Sequence, residues 1–494
     1  MGSGIQANTK GAEGNQRPGR AAHTAAGANR PGRKPKEEEP GINDANLFHI
    51  LKVIFPNFLK KLSLLKDFRV KGRSTFSVPE LVVPAVIERA IGNRSNRQHD
   101  LDKSSECFVD NMLRLSNGKT DRLPHSDTIR YFLEREESQC LAELLPLFFS
   151  RLLRDRRIGG MRCARELNGG KESFLIAVDG VHFHTSSAPL EHSTHRTHAD
   201  GTSEYMLVAL QATVVSPQGV RIPLMVEFIE NPDGDYDKQD CELKACKRLL
   251  RRMKERFPHL SVILLLDGLY LCEDILKICR GNNWKYSITV TDHVSAFQEK
   301  ALDAMSRKGH RVQAGDASSG CGRTVSRCNG IKHTFGDTDF TLNAIRMETT
   351  NPKGEKETLF YATDIFIHSK ADLAVRLLNE VCRVRWQIEE SFDEQKNHGL
   401  ELETAFGTRG YAGQNYYLVV QFAYIILTFM RCSSLFRRLQ QHENPDRIAT
   451  TIQRSMLEWY GSVRNLMSRL RTALLARRMD DIDMSGWRLA FDTA

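Results

Sequence analysis

Two aspartates stand at the ends of continuous apolar runs. Asp179 ends the run Phe174–Asp179 (FLIAVD), and Asp267 ends the run Ser261–Asp267 (SVILLLD). Runs of this kind are typical of central strands that are buried on both faces. Because an uncompensated carboxylate is costly at the mouth of a buried sheet, each Asp needs positive charge beside it. The two runs therefore predict two strands that end in cation-binding carboxylates.

A third carboxylate, Glu389, lies in the stretch Val381–Glu403 (VCRVRWQIEESFDEQKNHGLELE), which we predict to be one helix. At about 3.6 residues per turn, Arg385, Glu389 and Lys396 fall on one stripe of that helix. The apolar side chains expected to hold the helix against a core are Val384, Trp386 and Ile388. The alternative is a solvated helix with (i, i+4) ion pairs, but the two aspartate-terminated runs favour a functional stripe.

Together, Asp179, Asp267 and Glu389 form a predicted three-carboxylate site. Carboxylate oxygens are the ligands that hard divalent cations such as Mg²⁺ prefer. Two such ions about 4 Å apart would activate an attacking oxygen and stabilise the leaving oxygen in phosphoryl transfer. We therefore predict these residues as metal ligands and catalytic residues for two Mg²⁺ ions, with Mn²⁺ able to substitute.

The pattern resembles that of the cut-and-paste DDE transposases of bacterial insertion sequences, in the branch with a Tyr-Arg-Glu-Lys signature. The residues that match this signature in spacing are Arg385, Glu389 and Lys396. Tyr270 matches the aromatic residue three positions after the second Asp. Cys382 stands where the signature has Tyr. In order and spacing, the matching motifs extend from about Phe174 to Met430.

This resemblance implies a DNA transposase that cleaves at the ends of a mobile element and transfers the freed strand into target DNA. It implies double-stranded DNA as the partner, a homodimer in the synaptic complex, and phosphate contacts from Arg385, Lys396 and Tyr270. Two alternatives remain: a ribonuclease H-like nuclease or resolvase without strand transfer, and a domesticated DNA-binding protein without catalysis.

Composition agrees with a polyanionic partner and a reducing compartment. The 494 residues carry a net charge of +9, from 70 Lys and Arg against 61 Asp and Glu. The 11 cysteines are an odd number, and the start of the chain has no apolar leader, so we predict a cytoplasmic protein that associates with the nucleoid when bound to DNA. Tyr416–Met430 is apolar but too short for a membrane span, so we predict a buried helix and no membrane contact.

The elements that must position the carboxylates are predicted to form an α/β fold with a ribonuclease H-like core. Strand candidates at Tyr205–Val215 and Arg221–Glu230 follow the first Asp, and a helix is predicted at Asp240–Phe257. After Asp267 come a helix near Cys272–Cys279 and a strand at Trp284–Thr289. Strand, strand, strand, helix, strand, helix, strand is the order of such a core, and the carboxyl ends of its parallel strands are where a site belongs.

Composition and periodicity divide the chain into six predicted segments. They are a disordered basic arm (1–43), a helical DNA-binding or scaffold region (44–160), the first part of the core (161–292), a mostly β insertion (293–368), the second part of the core with the Glu389 helix (369–435), and a helical C-terminal region (436–494). The arm contains RPGRKPK, which is similar to an AT-hook, so Arg30 and Arg33 are predicted to enter a narrow minor groove. A solubilising tail is the alternative.

Other polar groups fit weaker interpretations. The histidines after the first Asp are His182, His184, His192, His195 and His198. They are expected to contact DNA rather than zinc, because the stretch shows no Cys partner. Cys321 and Cys328 are expected to be ordinary thiols. Asp393, one turn after Glu389, is a reserve ligand. The cationic outer face of the helix predicted at Asp240–Phe257 fits either a solvated face or a phosphate track.

Overall fold

The apolar runs of the sequence become strands of one mixed sheet with helices packed against it. The computed structural model describes residues 47, 50–70, 72–93, 95–155, 161–230, 241–290, 295–308, 310–313, 322–350, 356–404, 406–431 and 452–478. The predicted basic arm with Arg30 and Arg33 lies outside these residues, as does Cys321. The described part has an α/β fold, as the sequence predicted at this coarse level.

Eleven strands form the sheet in the described part of the chain. They are β1 (Arg162–Cys163), β2 (Ser173–Ser186), β3 (Thr194–Thr197), β4 (Ser203–Val215), β5 (Arg221–Ile229), β6 (Val262–Leu266), β7 (Lys285–Thr289), β8 (His310–Gln313), β9 (Gly322–Phe335), β10 (Thr338–Thr350) and β11 (Lys356–Thr363). The spatial order is β3-β4-β2-β6-β7-β11-β10-β9-β8, with β1 beside β2 and β5 beside β4. Strands β2, β6 and β7 are parallel to one another, and the remaining pairs are antiparallel.

Strand β6 and the first part of β2 form the centre because their side chains are apolar on both faces. All five residues of β6 are buried, as are the first six residues of β2. The hairpin of β4 and β5 turns at Gly219, whose φ of +88° suits a glycine, as the Pro217-Gln218-Gly219 turn predicted. On the other side, β7 pairs with β11, so the predicted β insertion continues the same sheet.

The α-helices are α1 (Pro56–Leu62), α2 (Val78–Ala90), α3 (Asn96–Asp102), α4 (Glu106–Ser116), α5 (Ser126–Arg135), α6 (Ser138–Ala142), α7 (Leu145–Asp155), α8 (Glu242–Arg256), α9 (Glu273–Asn282), α10 (Ser295–Lys308), α11 (Ala371–Glu380), α12 (Trp386–Asn397), α13 (Ala412–Arg431) and α14 (Ile452–Ala476). Short 3₁₀ turns occur at Arg165–Leu167, Gly268–Tyr270 and Cys382–Arg385, and a π turn occurs at Ile50–Ile54. Helix α2 starts with a capping box between Ser77 and Glu80.

Helix α13 is the buried helix predicted around Tyr416–Met430. Its polar side chains are paired inside the core: Tyr417 donates a hydrogen bond to Gln211 on β4 at 2.6 Å, and Gln421 donates to Gln395 on α12 at 2.6 Å. The helix is thereby fixed to both the sheet and α12. Within the described ranges, no helix combines the length and apolar character required to cross a bilayer.

Two elements differ from their predicted bounds. Strand β2 does not end at Asp179 but continues to Ser186, because the residues after Asp179 pair with β4 in an antiparallel ladder. The single helix predicted for Val381–Glu403 is a 3₁₀ turn followed by α12, which ends at Asn397. Gly399, with φ of +108°, lies just beyond that end and reverses the chain.

Candidate active site

Asp179 and Asp267 each lie two residues beyond the end of the parallel β2–β6 pairing. The last paired residues of this ladder are Ala177 and Leu265. Neighbouring strands of a sheet are about 4.8 Å apart. The two aspartates that the sequence predicted together therefore follow the same end of two neighbouring strand segments.

The backbone holds both aspartates in place. Asp179 Oδ1 accepts a hydrogen bond from the amide of Gly180 at 3.0 Å, and Asp267 Oδ1 accepts one from the amide of Gly268 at 2.6 Å. Asp267 also caps the 3₁₀ turn Gly268–Tyr270. Each carboxylate therefore has one oxygen fixed by the following residue, which orients its second oxygen for a further partner.

Arg385 connects the first strand to the helix that carries Glu389. Its Nη1 lies 3.4 Å from Asp179 Oδ2, and its Nη2 donates a hydrogen bond to the Glu389 carboxylate. Arg385 is only 7% exposed, whereas the Glu389 side chain is 40% exposed. The structure thus brings Asp179 and Glu389 to the same guanidinium, with Glu389 on the solvent side.

Burial perturbs the carboxylate of Asp179. Its pKa is raised to about 6, chiefly by burial, while the cation of Arg385 lowers it and the like charges of Glu389 and Glu242 contribute to the increase. A carboxylate in this position is stabilised by additional positive charge. The electrostatics therefore favour a cation close to Asp179.

The donor chemistry at this edge fits a divalent cation. Asp179, Asp267 and Glu389 offer carboxylate oxygens, which are the hard ligands that Mg²⁺ and Mn²⁺ take. In the described part of the chain, no group of three or more His, Cys, Asp or Glu side chains is already arranged to hold a metal ion. In this arrangement Arg385 provides the positive charge between Asp179 and Glu389, so a metal ion binding both would have to displace its guanidinium.

A buried ionic cluster fixes the opposite face of α12. Glu394, whose side chain is 1% exposed, accepts hydrogen bonds from Arg431 at 2.6 Å, from Tyr424 at 3.1 Å and from Arg221 at 3.4 Å. Arg221 also donates to Glu390, the neighbour of Glu389. Strand β5 and helix α13 therefore both bind α12. These contacts fix the orientation of α12 in which Glu389 lies near Asp179.

Removal of the Glu394 carboxylate is expected to destabilise the protein strongly. Glu394→Ala leaves the buried guanidiniums of Arg431 and Arg221 without their shared partner, at a cost of about 3–5 kcal/mol. A urea or thermal unfolding midpoint measures this loss. Exposed Glu255→Ala on α8 is the control and should leave the midpoint unchanged. A small effect of Glu394→Ala would show that the cluster does not fix α12.

Three other predicted site residues have different surroundings. Lys396 lies on α12 but pairs with Glu403 at 2.7 Å. Tyr270 is 1% exposed, so it is a core residue here and not an open phosphate contact. Cys382 is also buried, and burial raises its pKa to about 12. Trp386, which was predicted to be core, is 49% exposed next to Arg385.

Of the histidines after Asp179, His182 and His184 lie on β2 and His195 lies on β3, whereas His192 and His198 lie on the loops before and after β3. His192 pairs with Glu230 at 3.0 Å and stacks on Tyr411, with ring centroids 4.0 Å apart. His198 lies 3.6 Å from Glu204. These two rings therefore have carboxylate or aromatic partners within the protein.

The cationic face of α8 is largely paired with acids. Lys247 pairs with Asp274 at 2.6 Å, and Glu227 accepts hydrogen bonds from both Arg248 and Arg252 at 2.7 and 2.6 Å. The sequence left open a solvated face or a phosphate track, and these ion pairs argue against the phosphate track.

Sequence reasoning missed Glu242, which lies at the start of α8 beside the residue after Asp179. Its only sequence signal is an acidic residue in the first turn of a helix, which is common and unspecific. It also missed Arg221, because an Arg that opens a strand gives no indication of the helix it will bind. Both residues approach the site through contacts between distant parts of the chain.

In this arrangement the guanidinium of Arg385 lies between the carboxylates of Asp179 and Glu389. No protein-family model matches the chain, and no curated protein matches it. The assignment of function therefore depends on these residues and their geometry.

Proposed function

We propose that the chain is a DNA transposase of the DDE type. It would use Asp179, Asp267 and Glu389 to bind Mg²⁺, cleave the ends of a mobile element and join them to target DNA. The observation that carries the proposal is that Asp179 and Asp267 follow the paired segments of two adjacent parallel strands, with Glu389 connected to Asp179 through Arg385. This arrangement supports a site formed by the three carboxylates.

The topology supports a ribonuclease H-like core. Strands β5, β4, β2, β6 and β7 follow one another across the sheet, the first three antiparallel and the last three parallel. Helices α8 and α9 connect the parallel strands, as the predicted order requires. The carboxylates lie at the carboxyl ends of the parallel pair, where such sheets place their sites.

In this proposal each residue has a distinct role. Divalent ions bound by the three carboxylates would lower the pKa of an attacking water and stabilise the leaving oxygen. Backbone amides hold one oxygen of Asp179 and one of Asp267, so the second oxygen of each would be the one to bind an ion, and at Asp179 the ion would take the place of Arg385. Arg385, once released from the carboxylates, can bind a DNA phosphate through two parallel hydrogen bonds. Lys396, at the end of α12, pairs with Glu403, so a DNA phosphate would have to displace Glu403 to bind Lys396.

The decisive experiment uses the full chain and DNA from the borders of its own coding region. Short inverted repeats flanked by duplicated target sequence should be present there. With Mg²⁺, labelled duplexes that carry these repeats should be cut to leave 3′-hydroxyl ends, which are then joined to a second DNA. Chelation of the metal should stop both steps.

The same assay separates the alternatives. Cleavage without joined products would indicate a nuclease or resolvase, and specific binding without cleavage would indicate a DNA-binding protein. Cross-linking in the presence of paired ends tests the expected homodimer, since two ends must be held together for joining.

A further inference from the structure

The carboxylate of Glu242 packs against the backbone that follows Asp179. A Cβ placed on Gly180 would lie 2.8 Å from the carboxyl carbon of Glu242, closer than real Cβ contacts occur. A Cβ at this position would require the end of the Glu242 side chain to move. Glu242 is part of the first turn of α8, where the helix dipole favours negative charge.

The same carboxylate also reaches the turn that follows Asp267. The hydroxyl of Tyr270 donates a hydrogen bond to Glu242 Oε2 at 3.2 Å. Tyr270 is 1% exposed, and a buried hydroxyl needs a partner. Glu242 therefore contacts the segment after Asp179 with one side and the 3₁₀ turn capped by Asp267 with the other.

We propose that Glu242 is a fourth carboxylate of the candidate active site, which holds the Asp179 and Asp267 segments together and adds negative charge that attracts the cation. It is a positioning residue, and the proposal rests on the proposed function of the three carboxylates. Gly180 and Tyr270 are the residues through which it acts. Carboxylates that support metal ligands in this way commonly change metal affinity by 10-fold to 100-fold when removed.

The charge of Glu242 would act on a bound cation as well as on the protein. Glu242 contacts Gly180, the neighbour of Asp179, and the turn capped by Asp267, so its charge would attract a cation held by the two aspartates. If Glu242 were kept only for packing and its hydrogen bond, removal of its charge alone would leave Mn²⁺ affinity unchanged. This difference separates the two roles.

The test compares Glu242→Gln with wild type in two measurements on the full chain. Glu242→Gln keeps the size and the acceptor for Tyr270 but removes the charge. We expect Mn²⁺ to bind roughly 10-fold more weakly, while the melting temperature of the metal-free protein stays close to that of wild type, because the size of the side chain and its hydrogen bond are kept. Tyr270→Phe, which removes only the hydrogen bond, should weaken Mn²⁺ binding less. Gly180→Ala should weaken it by displacing the carboxylate.

Controls separate this proposal from the proposed function. Glu255→Gln, at the exposed end of the same helix, should change neither measurement. Asp179→Asn should lose Mn²⁺ binding if the three-carboxylate site is correct. If Asp179→Asn loses binding while Glu242→Gln binds Mn²⁺ like wild type, Glu242 has no positioning role and the proposed function stands. If Asp179→Asn binds Mn²⁺ like wild type, the proposed site itself is wrong.

Discussion

Asp179→Asn is expected to abolish metal-dependent DNA cleavage and, in the metal-free protein at neutral pH, to increase stability. Activity is lost because Asn cannot replace a charged metal ligand. Stability rises because the ionised carboxylate is unfavourable where it is buried beside Glu389 and Glu242. The increase in unfolding free energy is at most about 3 kcal/mol, from a pKa displacement of about two units. Single-turnover cleavage and thermal unfolding measure the two effects.

The stability effect should depend on pH with a defined sign. The folded protein binds the Asp179 proton with a pKa of about 6, above the ordinary value of 3.8. Between these values the folded state keeps a proton that the unfolded chain releases, so this group lowers wild-type stability as pH rises from about 4 to about 6. Asp179→Asn lacks this titration. Its advantage should therefore be present at pH 7 and disappear near pH 4.

Asp267→Asn and Glu389→Gln should also abolish cleavage while DNA binding persists. Asp393→Asn is the matched control on α12, because Asp393 is exposed and pairs with Asn397. It should retain cleavage. If Asp393→Asn is inactive and Glu389→Gln is active, the third ligand is Asp393 and not Glu389.

The second large effect is expected for Arg385→Ala, which should lower cleavage and strengthen Mn²⁺ binding in the absence of DNA. Arg385 now occupies the position between Asp179 and Glu389, so its removal leaves both carboxylates available to a cation. On the substrate, loss of one positioned donor costs roughly 10²–10³ in rate. Arg385→Lys should recover only part of this, because an ammonium cannot form the two parallel hydrogen bonds of a guanidinium.

Arg376→Ala provides the comparison for Arg385. Arg376 pairs with Glu380 on α11 and with Glu166, and its side chain is 39% exposed, so it tests the loss of exposed ion pairs. Such pairs contribute about 0.3–0.5 kcal/mol. If Arg385→Ala cleaves DNA at the wild-type rate and loses no more stability than Arg376→Ala, Arg385 has only a structural role as an ion pair.

The central strands could be predicted because burial on both faces produces apolar runs that need no knowledge of neighbours. Strand β6 and the start of β2 follow this rule. The extension of β2 beyond Asp179 was missed, although Val181 and Phe183 alternate with polar residues there. Its partner β4 determines that pairing. The alternation of apolar and polar residues after Asp179 was too short to predict a half-buried strand. Near Asp179, β2 also loses its parallel neighbour β6 and keeps only its antiparallel neighbour β4, which depends on the topology of the sheet.

The stripe on the Glu389 helix was predicted in part. The contact of Arg385 with Glu389 needs only local spacing, whereas the pairing of Lys396 with Glu403 depends on the chain reversal at Gly399. The exposure of Trp386 also depends on how α12 is rotated. The rotation of α12 about its axis is set by contacts with Arg221 and Arg431, which belong to distant elements. The local sequence of α12 gives no indication of these contacts.

Because β7 pairs with β11, the central sheet can be completed only late in synthesis of the chain. Until β11 (Lys356–Thr363) has left the ribosome, β7 has β6 on one side and an open row of amides and carbonyls on the other. Glu389 emerges later still. A nascent or truncated chain that ends before β11 therefore presents an unprotected strand edge, the feature that promotes association with other chains. Early-terminated products should form aggregates, and the protein's yield in cells should depend on how quickly translation passes from β7 to β11.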